Sequence, residues 1–154
     1  MPFDHWSWKL SVALFAFVAA VYLPSIGKGF VYDDGVLVVQ PPAPQSLSDA
    51  LQLFVTPYHE AGSVHYYRPL TQFSYLAQKG LVGLSAPSFH LVNALIAGLL
   101  AIAAGALLRL PVWGLSPWRA AWGAAFFVLQ PVASSVIYPI SGRETLLMTL
   151  FLVL

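Results

Sequence analysis

Long stretches without a charged side chain constrain this sequence more than any other feature. One lies between Lys9 and Lys28, and a second lies between Lys79 and Arg109. A helix needs about 20 mainly apolar residues to cross the hydrocarbon core of a bilayer. Charged residues make up only 8% of the chain and the mean hydropathy is +0.74, whereas a soluble domain carries about 25% charged residues. The fold class is therefore predicted to be all-α, a polytopic helical membrane protein.

The charge pattern divides the chain into four predicted spans and one long loop. The spans cover about residues 10–26, 88–109, 117–137 and 144–154, and the outer loop covers about 27–87. Gln130-Pro131 interrupts the third span, and the small residues of the second span allow close helix packing. The last run is too short to cross a bilayer. Residues 1–154 are expected to form a single N-terminal part of a larger transmembrane domain, or a truncated product.

A cleaved signal peptide is the alternative for the first span. Val18 and Ala20 fit the small-residue pattern of a cleavage site. The basic segment before the apolar run consists of Lys9 alone, however, and the apolar run continues beyond Ala20. These two features favour a membrane span over a signal peptide.

The connection between the second and third spans predicts the orientation. It is flanked by Arg109 and Arg119 and contains no acidic residue, which is typical of a cytoplasmic loop. The N-terminus is then cytoplasmic, and the long loop is extracytoplasmic or lumenal, in a bacterial inner membrane or the endoplasmic reticulum. Two short amphipathic helices in that loop are predicted to lie in the membrane interface. One starts at a capping box of Ser46 and Asp49, and the other starts at Arg68-Pro69.

Composition excludes some classes of function. The net charge is +1 and Lys plus Arg total 7, without a basic stripe, so no nucleic acid partner is expected. The chain has no cysteine, which excludes disulfides and thiolate metal sites. The lipid bilayer is the partner that composition does require.

The outer loop opens with two adjacent carboxylates, Asp33 and Asp34, between Tyr32 and Gly35. Such a pair can bind a divalent metal, an ammonium group or an acceptor hydroxyl, or can act as a general base. A simple Asp-Gly turn at the water boundary is the alternative, and spacing alone favours it.

Further polar residues are candidates for binding. Arg68 follows His65 and Tyr67, and an arginine fork suits a phosphate. An aromatic belt with a snorkelling arginine is an equally good interpretation.

Two more polar groups are predicted at the same membrane face. His90 and Asn93 share one helix face, where hydrogen bonding between helices is favoured over a binding role. Arg143 and Glu144 form either a structural ion pair or a second anion site.

The order of these motifs resembles the GT-C glycosyltransferases, and the resemblance covers Leu23 to Leu154. The motifs are F-x-Y-D-D from Phe30, Y-R-P-L from Tyr67, F-H-L-V-N from Phe89 and S-G-R from Ser141. The most similar branch is that of the transmembrane, TPR-repeat-containing O-mannosyltransferases and their bacterial relatives.

The resemblance implies a function. It implies transfer of a sugar, such as mannose, from a polyprenyl-phosphate carrier to an acceptor hydroxyl on a protein or glycan, with inversion. Asp33 or Asp34 would act as the general base or would anchor the acceptor. The resemblance leaves open whether this pair binds Mg or Mn. Arg68 and Arg143 would bind the donor phosphate. The substrate-binding residues would be Tyr67, His65, His90 and Glu144.

The sequence departs from this family at several positions. Relatives show H-P-x-H-x-E at the end of the third span, where Gln130, Ala133 and Ser135 stand in place of histidine, histidine and glutamate. Thr145 and Ala97 likewise occupy positions where relatives often carry an acid and a histidine. These departures support an alternative, a non-catalytic or truncated membrane scaffold that has lost part of the site. Half of a transporter is a weaker alternative, because the spans lack buried charge.

Overall fold

The computed structural model describes residues 7–56, 59–61 and 64–154, which form helices, one short hairpin and the loops that connect them. The α-helices are α1 Trp8–Tyr22, α2 Leu47–Gln52, α3 Pro69–Val82, α4 Ala86–Leu108, α5 Pro117–Leu129, α6 Pro131–Ile137 and α7 Arg143–Val153. Short 3₁₀ turns cover Leu23–Gly27, Pro111–Trp113 and Ile140–Gly142, and a π-helical turn covers Gly35–Val39. Strands β1 His59–Ala61 and β2 Val64–Tyr66 pair antiparallel.

Two segments of the described residues are long and apolar enough to cross a membrane. They are Trp8–Gly27, formed by α1 and its 3₁₀ turn, and α4. Helices α5 and α6 make a third span if they are counted together, with a bend of 59° between them. The protein is therefore an all-α integral membrane protein, as predicted. The assignment of residues 1–154 to one part of a larger domain stays a prediction.

Proline explains the bend between α5 and α6. Pro131 has no N–H to donate to the preceding turn, so the helical hydrogen bonding stops there. The Tyr22 hydroxyl of α1 donates to the Val128 carbonyl oxygen (2.6 Å) and lies 3.2 Å from Ser134 Oγ. Backbone polar groups within a bilayer need a partner inside the protein, and Tyr22 provides one at this bend.

Helix α4 lies at the centre of the structure and packs against α1, α5 and α7. The small residues predicted to allow close packing are all buried: Ala97, Gly98, Ala101, Ala103, Ala104 and Gly105. A Cβ on Gly98 would lie 2.6 Å from Phe15 Cδ2 and 3.1 Å from the Phe15 carbonyl oxygen. Glycine is therefore required at residue 98 by the close approach of α1.

Replacing Gly98 by valine is expected to lower the free energy of unfolding by about 1–3 kcal/mol, because the added atoms overlap Phe15. The matched control is Gly80→Val in α3, where a Cβ meets no atom within 4 Å. That change is expected to stay within about 0.5 kcal/mol of neutral. Thermal loss of helical circular dichroism in detergent measures both variants. Equal midpoints for the two variants would contradict the packing argument.

The two predicted interfacial helices are present. Ser46 and Asp49 form the capping box of α2, and Pro69 occupies the first turn of α3. The side of α3 that faces the protein consists of Thr71, Gln72, Tyr75 and Leu76. Other apolar side chains of α3, such as Leu70 and Leu81, are exposed, which fits a helix that rests on a bilayer. The hairpin and the π-helical turn were not predicted.

Candidate functional site

The two adjacent aspartates have different environments. Asp34 is fully buried, and its Oδ1 accepts a hydrogen bond from the Ser141 backbone N–H (2.7 Å). Its Oδ2 accepts a second bond from the Val31 N–H (2.8 Å). Asp33 is exposed, and the structure gives its side chain no hydrogen bond. Asp34 therefore fastens the loop to the turn before α7, whereas the carboxylate of Asp33 faces solvent.

The backbone just before the aspartates has an unusual conformation. Tyr32 has φ 49°, and it is the one non-glycine residue with positive φ in the described part of the chain. Its side chain is 88% exposed. A bulky residue in this region of backbone space is strained and persists only where the surrounding structure imposes it. The two side-chain hydrogen bonds of Asp34 hold the adjacent turn, together with the bond from its own N–H to the Val31 carbonyl oxygen (3.0 Å).

The 3₁₀ turn Ile140–Gly142 is held from α3 and α4 as well. The Tyr75 hydroxyl donates to the carbonyl oxygens of Ile140 (2.9 Å) and Ser141 (3.1 Å). Asn93 Nδ2 donates to the carbonyl oxygens of Pro139 (3.1 Å) and Ile140 (3.3 Å). The predicted role of Asn93 in hydrogen bonding between helices is confirmed.

Arg143, the first residue of α7, is fully buried. Its Nε donates to Asn93 Oδ1 (2.8 Å) and its Nη2 donates to the Phe89 carbonyl oxygen (3.1 Å). Nη1 lies near the backbone and hydroxyl oxygens of Ser74, and the guanidinium carbon lies 4.8 Å from the centre of the Tyr75 ring. These contacts occupy all three nitrogens, so they favour a structural role for Arg143 over the predicted role in phosphate binding.

Arg68 and Glu144 form an ion pair between the start of α3 and the first turn of α7. The pair stands at one end of a groove of about 380 Å³. The other end of this groove is apolar and is lined by Leu147, Met148 and Phe151 of α7. The side chains of Arg68 and Glu144 are 40% and 26% exposed, so both remain accessible from the groove. We call this the α7 groove.

The other predicted binding residues lie elsewhere. His90 is buried, with Nε2 3.3 Å from the Gly29 carbonyl oxygen and no partner for Nδ1. Tyr67 is exposed, and its hydroxyl donates to the Phe54 carbonyl oxygen beyond α2. His65 belongs to β2, and its side chain lies outside the described residues.

Several residues that take part in this region were not predicted from the sequence. Lys79 Nζ donates to the carbonyl oxygens of Val39 (2.7 Å) and Pro41 (2.7 Å), at the end of the π-helical turn. Ser141 takes part through its backbone N–H, and Tyr75 through its hydroxyl. A lysine or tyrosine in an amphipathic pattern gives no signal of such a partner, because the carbonyls involved belong to distant segments.

The described residues do not assemble a metal site. No group of three His, Cys, Asp or Glu side chains in this part of the chain could hold a metal ion. Both carboxylate oxygens of Asp34 already accept backbone hydrogen bonds, which leaves Asp33 as the one available carboxylate of the pair. A hard divalent cation prefers several oxygen ligands, so the described residues of this pair do not fit Mg or Mn.

Comparison with known proteins places this site in context. The chain is 31% identical over 135 residues to the protein O-mannosyl-transferase Tmtc2 of Drosophila melanogaster, and 27% identical over 136 residues to a protein O-mannosyl-transferase of Caenorhabditis elegans. The chain is similar to protein O-mannosyl-transferases. The aligned regions cover 82% and 84% of this chain but only 14% and 20% of the two relatives. The predicted resemblance to O-mannosyltransferases is confirmed over most of the chain. The chain spans less than a quarter of the length of either relative. No family model and no solved structure matches it.

Proposed function

We propose that the chain contributes the donor site and the base of a membrane glycosyltransferase. The reaction is transfer of a sugar, such as mannose, from a polyprenyl-phosphate carrier to an acceptor hydroxyl, with inversion. The observation that carries the proposal is the α7 groove, which has the Arg68–Glu144 ion pair at one end and apolar side chains at the other. The similarity to protein O-mannosyl-transferases supports it.

The α7 groove matches the chemistry of a lipid phosphate. A polyprenyl phosphate has an anionic head and a long apolar tail, and the groove has an end suited to each. Arg68 offers a planar fork of N–H donors that suits phosphate oxygens. Leu147, Met148 and Phe151 extend the binding surface along α7, where the isoprenoid chain would run in the bilayer.

Asp33 is the proposed general base. Inverting transfer needs one base and a leaving group that is stable as an anion. The acceptor hydroxyl gives its proton to the Asp33 carboxylate while its oxygen forms a bond to the anomeric carbon. The bond from that carbon to the phosphate oxygen breaks, and the electron pair leaves with the phosphate, which Arg68 stabilises. Asp34 holds the loop through Ser141.

The proposed orientation follows from the basic connection between α4 and α5. The N-terminus is cytoplasmic, and Asp33, Arg68 and the hairpin lie on the extracytoplasmic or lumenal side. Asp33 and Arg68, which would act on the lipid head group, are then at the same membrane face. Protein or glycan hydroxyls on that side are the proposed acceptors.

Replacing Arg68 by glutamine tests the donor site. Binding of a mannosyl polyprenyl phosphate to the protein in nanodiscs is expected to weaken roughly 10- to 100-fold, because a charge-assisted hydrogen bond contributes about 1.5–3 kcal/mol. The control is Arg119→Gln, an exposed arginine in the first turn of α5, at the other end of α4. Unchanged donor affinity in the Arg68 variant would refute the donor site.

One observation favours a second candidate, a scaffold without transferase activity. Gln130 and Ala133 line a pocket of about 180 Å³ together with Thr145, and no carboxylate or imidazole of the described residues lines it. Members of the glycosyltransferase family that this sequence resembles carry histidine or an acidic residue at these positions. A protein that binds the lipid phosphate but transfers no sugar to any hydroxyl would support the scaffold.

A further inference from the structure

The α7 groove carries an ion pair at the end where the donor phosphate is proposed to bind. Arg68 and Glu144 are the charged residues of its described lining. Arg68 Nη1 donates directly to Glu144 Oε2. The positive charge of Arg68 is therefore offset by a carboxylate of the same protein. A phosphate that binds Arg68 has to compete with this carboxylate.

The position of Glu144 allows such an exchange. Its side chain is 26% exposed, and the guanidinium of its neighbour Arg143 is occupied by Asn93 and Phe89. Glu144 also lies in the first turn of α7, where a helix favours negative charge. The carboxylate can therefore turn away from Arg68 toward solvent and still keep a favourable position at the start of the helix.

The charge of the lipid phosphate changes in the proposed reaction. In the donor, the phosphate is a diester and carries a single negative charge. When the bond from the anomeric carbon to the phosphate oxygen breaks, the phosphate becomes a monoester, which carries about −1.5 to −2 charges at pH 7. Arg68 attracts this product more strongly than it attracts the donor, because the Coulomb energy grows with charge. The stronger attraction stabilises the leaving group during transfer and slows its departure afterwards.

We infer that Glu144 releases the product, because its carboxylate takes the place of the polyprenyl phosphate on Arg68 after transfer. The inference rests on the proposed function. No bond forms or breaks in this step, since one anion replaces another at the same guanidinium. The carboxylate also spares Arg68 from standing as an unpaired charge beside the apolar side chains of the groove, which is costly. Glu144 thus opposes phosphate binding, whereas a residue that orients Arg68 for the phosphate would strengthen it.

The test measures binding of farnesyl phosphate, a short isoprenyl monoester, to the protein in phosphatidylcholine nanodiscs. Glu144→Gln keeps the shape of the side chain and removes its charge. Farnesyl phosphate is expected to bind this variant roughly two- to fivefold more tightly, the range set by a partly exposed ion pair. Weaker or unchanged binding would contradict the inference, because it is the result that an orienting or purely structural Glu144 predicts.

Asp49→Asn is the matched control for the loss of a negative charge. Asp49 lies in α2 and does not line the α7 groove, and asparagine keeps an oxygen acceptor for the cap of that helix. The affinity for farnesyl phosphate is expected to stay unchanged in this variant.

The double variant Arg68→Gln/Glu144→Gln locates the competition. If Glu144 competes for Arg68, removal of its charge should bring no gain in affinity when Arg68 is also replaced. A gain that persists without Arg68 would indicate plain repulsion between Glu144 and the phosphate, and it would overturn the exchange.

Turnover with a mannosyl polyprenyl phosphate gives a second readout. In Glu144→Gln, kcat and KM are expected to fall together by roughly two- to fivefold, the same range as the gain in affinity. Slower product release lowers kcat, and tighter donor binding lowers KM. A kcat that does not fall, or that falls without KM, would overturn the release role.

The binding outcomes separate this inference from the proposed function. Tighter binding in Glu144→Gln that depends on Arg68 supports the exchange. Binding that falls in Arg68→Gln and does not rise in Glu144→Gln overturns the exchange and leaves the donor site standing. Binding that is equal in Arg68→Gln and the unsubstituted protein refutes the donor site itself.

Discussion

Replacing Asp33 by asparagine is expected to lower the rate of sugar transfer by about 10²–10⁴-fold, the usual contribution of a general base. Asparagine has nearly the same shape but cannot accept the proton of the acceptor hydroxyl. Asp33 is exposed and its side chain makes no described hydrogen bond, so the thermal midpoint should not change. Donor affinity should also stay the same, because the donor phosphate is assigned to Arg68.

Asp34→Asn is the matched comparison for this prediction. It weakens two hydrogen bonds of a buried carboxylate, to Ser141 and Val31, and is expected to cost about 1–3 kcal/mol of stability. Its folded fraction should keep most of the transfer rate, since Asp33 is still present to accept the proton.

The pair of variants can refute the assignment. If folded Asp34→Asn loses transfer and Asp33→Asn keeps it, the buried aspartate is the base and the proposed roles are reversed. Full transfer by both variants would exclude the loop from the chemistry and would favour the scaffold.

Replacing Arg143 by methionine is expected to lower the free energy of unfolding by about 2–4 kcal/mol. The change leaves Asn93 Oδ1 buried without its donor and removes a second bond to the Phe89 carbonyl oxygen, and an unsatisfied buried acceptor costs about 1–3 kcal/mol. Thermal or denaturant unfolding in detergent measures the loss. Arg119→Met, at an exposed position, should stay within about 0.5 kcal/mol of neutral.

Arg143→Lys separates structure from phosphate binding. Lysine keeps the charge, but its single ammonium group cannot reach Asn93, Ser74 and Phe89 as a planar fork does. A structural arginine predicts that this variant is also destabilised, with donor affinity unchanged once it is folded. Native stability combined with weakened donor binding would restore the predicted phosphate role of Arg143.

The membrane spans were predictable because they depend on local sequence. The length of an uncharged apolar run decides whether a helix can cross a bilayer, and both long spans were placed within a few residues. The bend at Gln130-Pro131 was visible for the same reason, since proline removes a donor wherever it stands. Ser46 and Asp49 form a cap within four residues of chain.

The roles of the site residues were not predictable, because they depend on distant partners. Asp33 and Asp34 are identical side chains in adjacent positions. They are distinguished by Ser141, which is 107 residues beyond Asp34. The Arg68–Glu144 pair likewise joins residues 76 apart. From the sequence, Arg143 was a candidate for binding an anion. Its burial between α3 and α4 depends on how the helices assemble.

The hydrogen bond from Tyr22 to Val128 has a consequence for biosynthesis. Its donor and its acceptor are 106 residues apart, and chains are synthesised from the N-terminus. The hydroxyl is therefore already in the bilayer when the broken helix of residues 117–137 leaves the ribosome. The partner of the buried Val128 carbonyl oxygen is therefore made before the bend itself. Tyr22→Phe should leave the first helix able to insert and should delay or prevent stable insertion of the bent one.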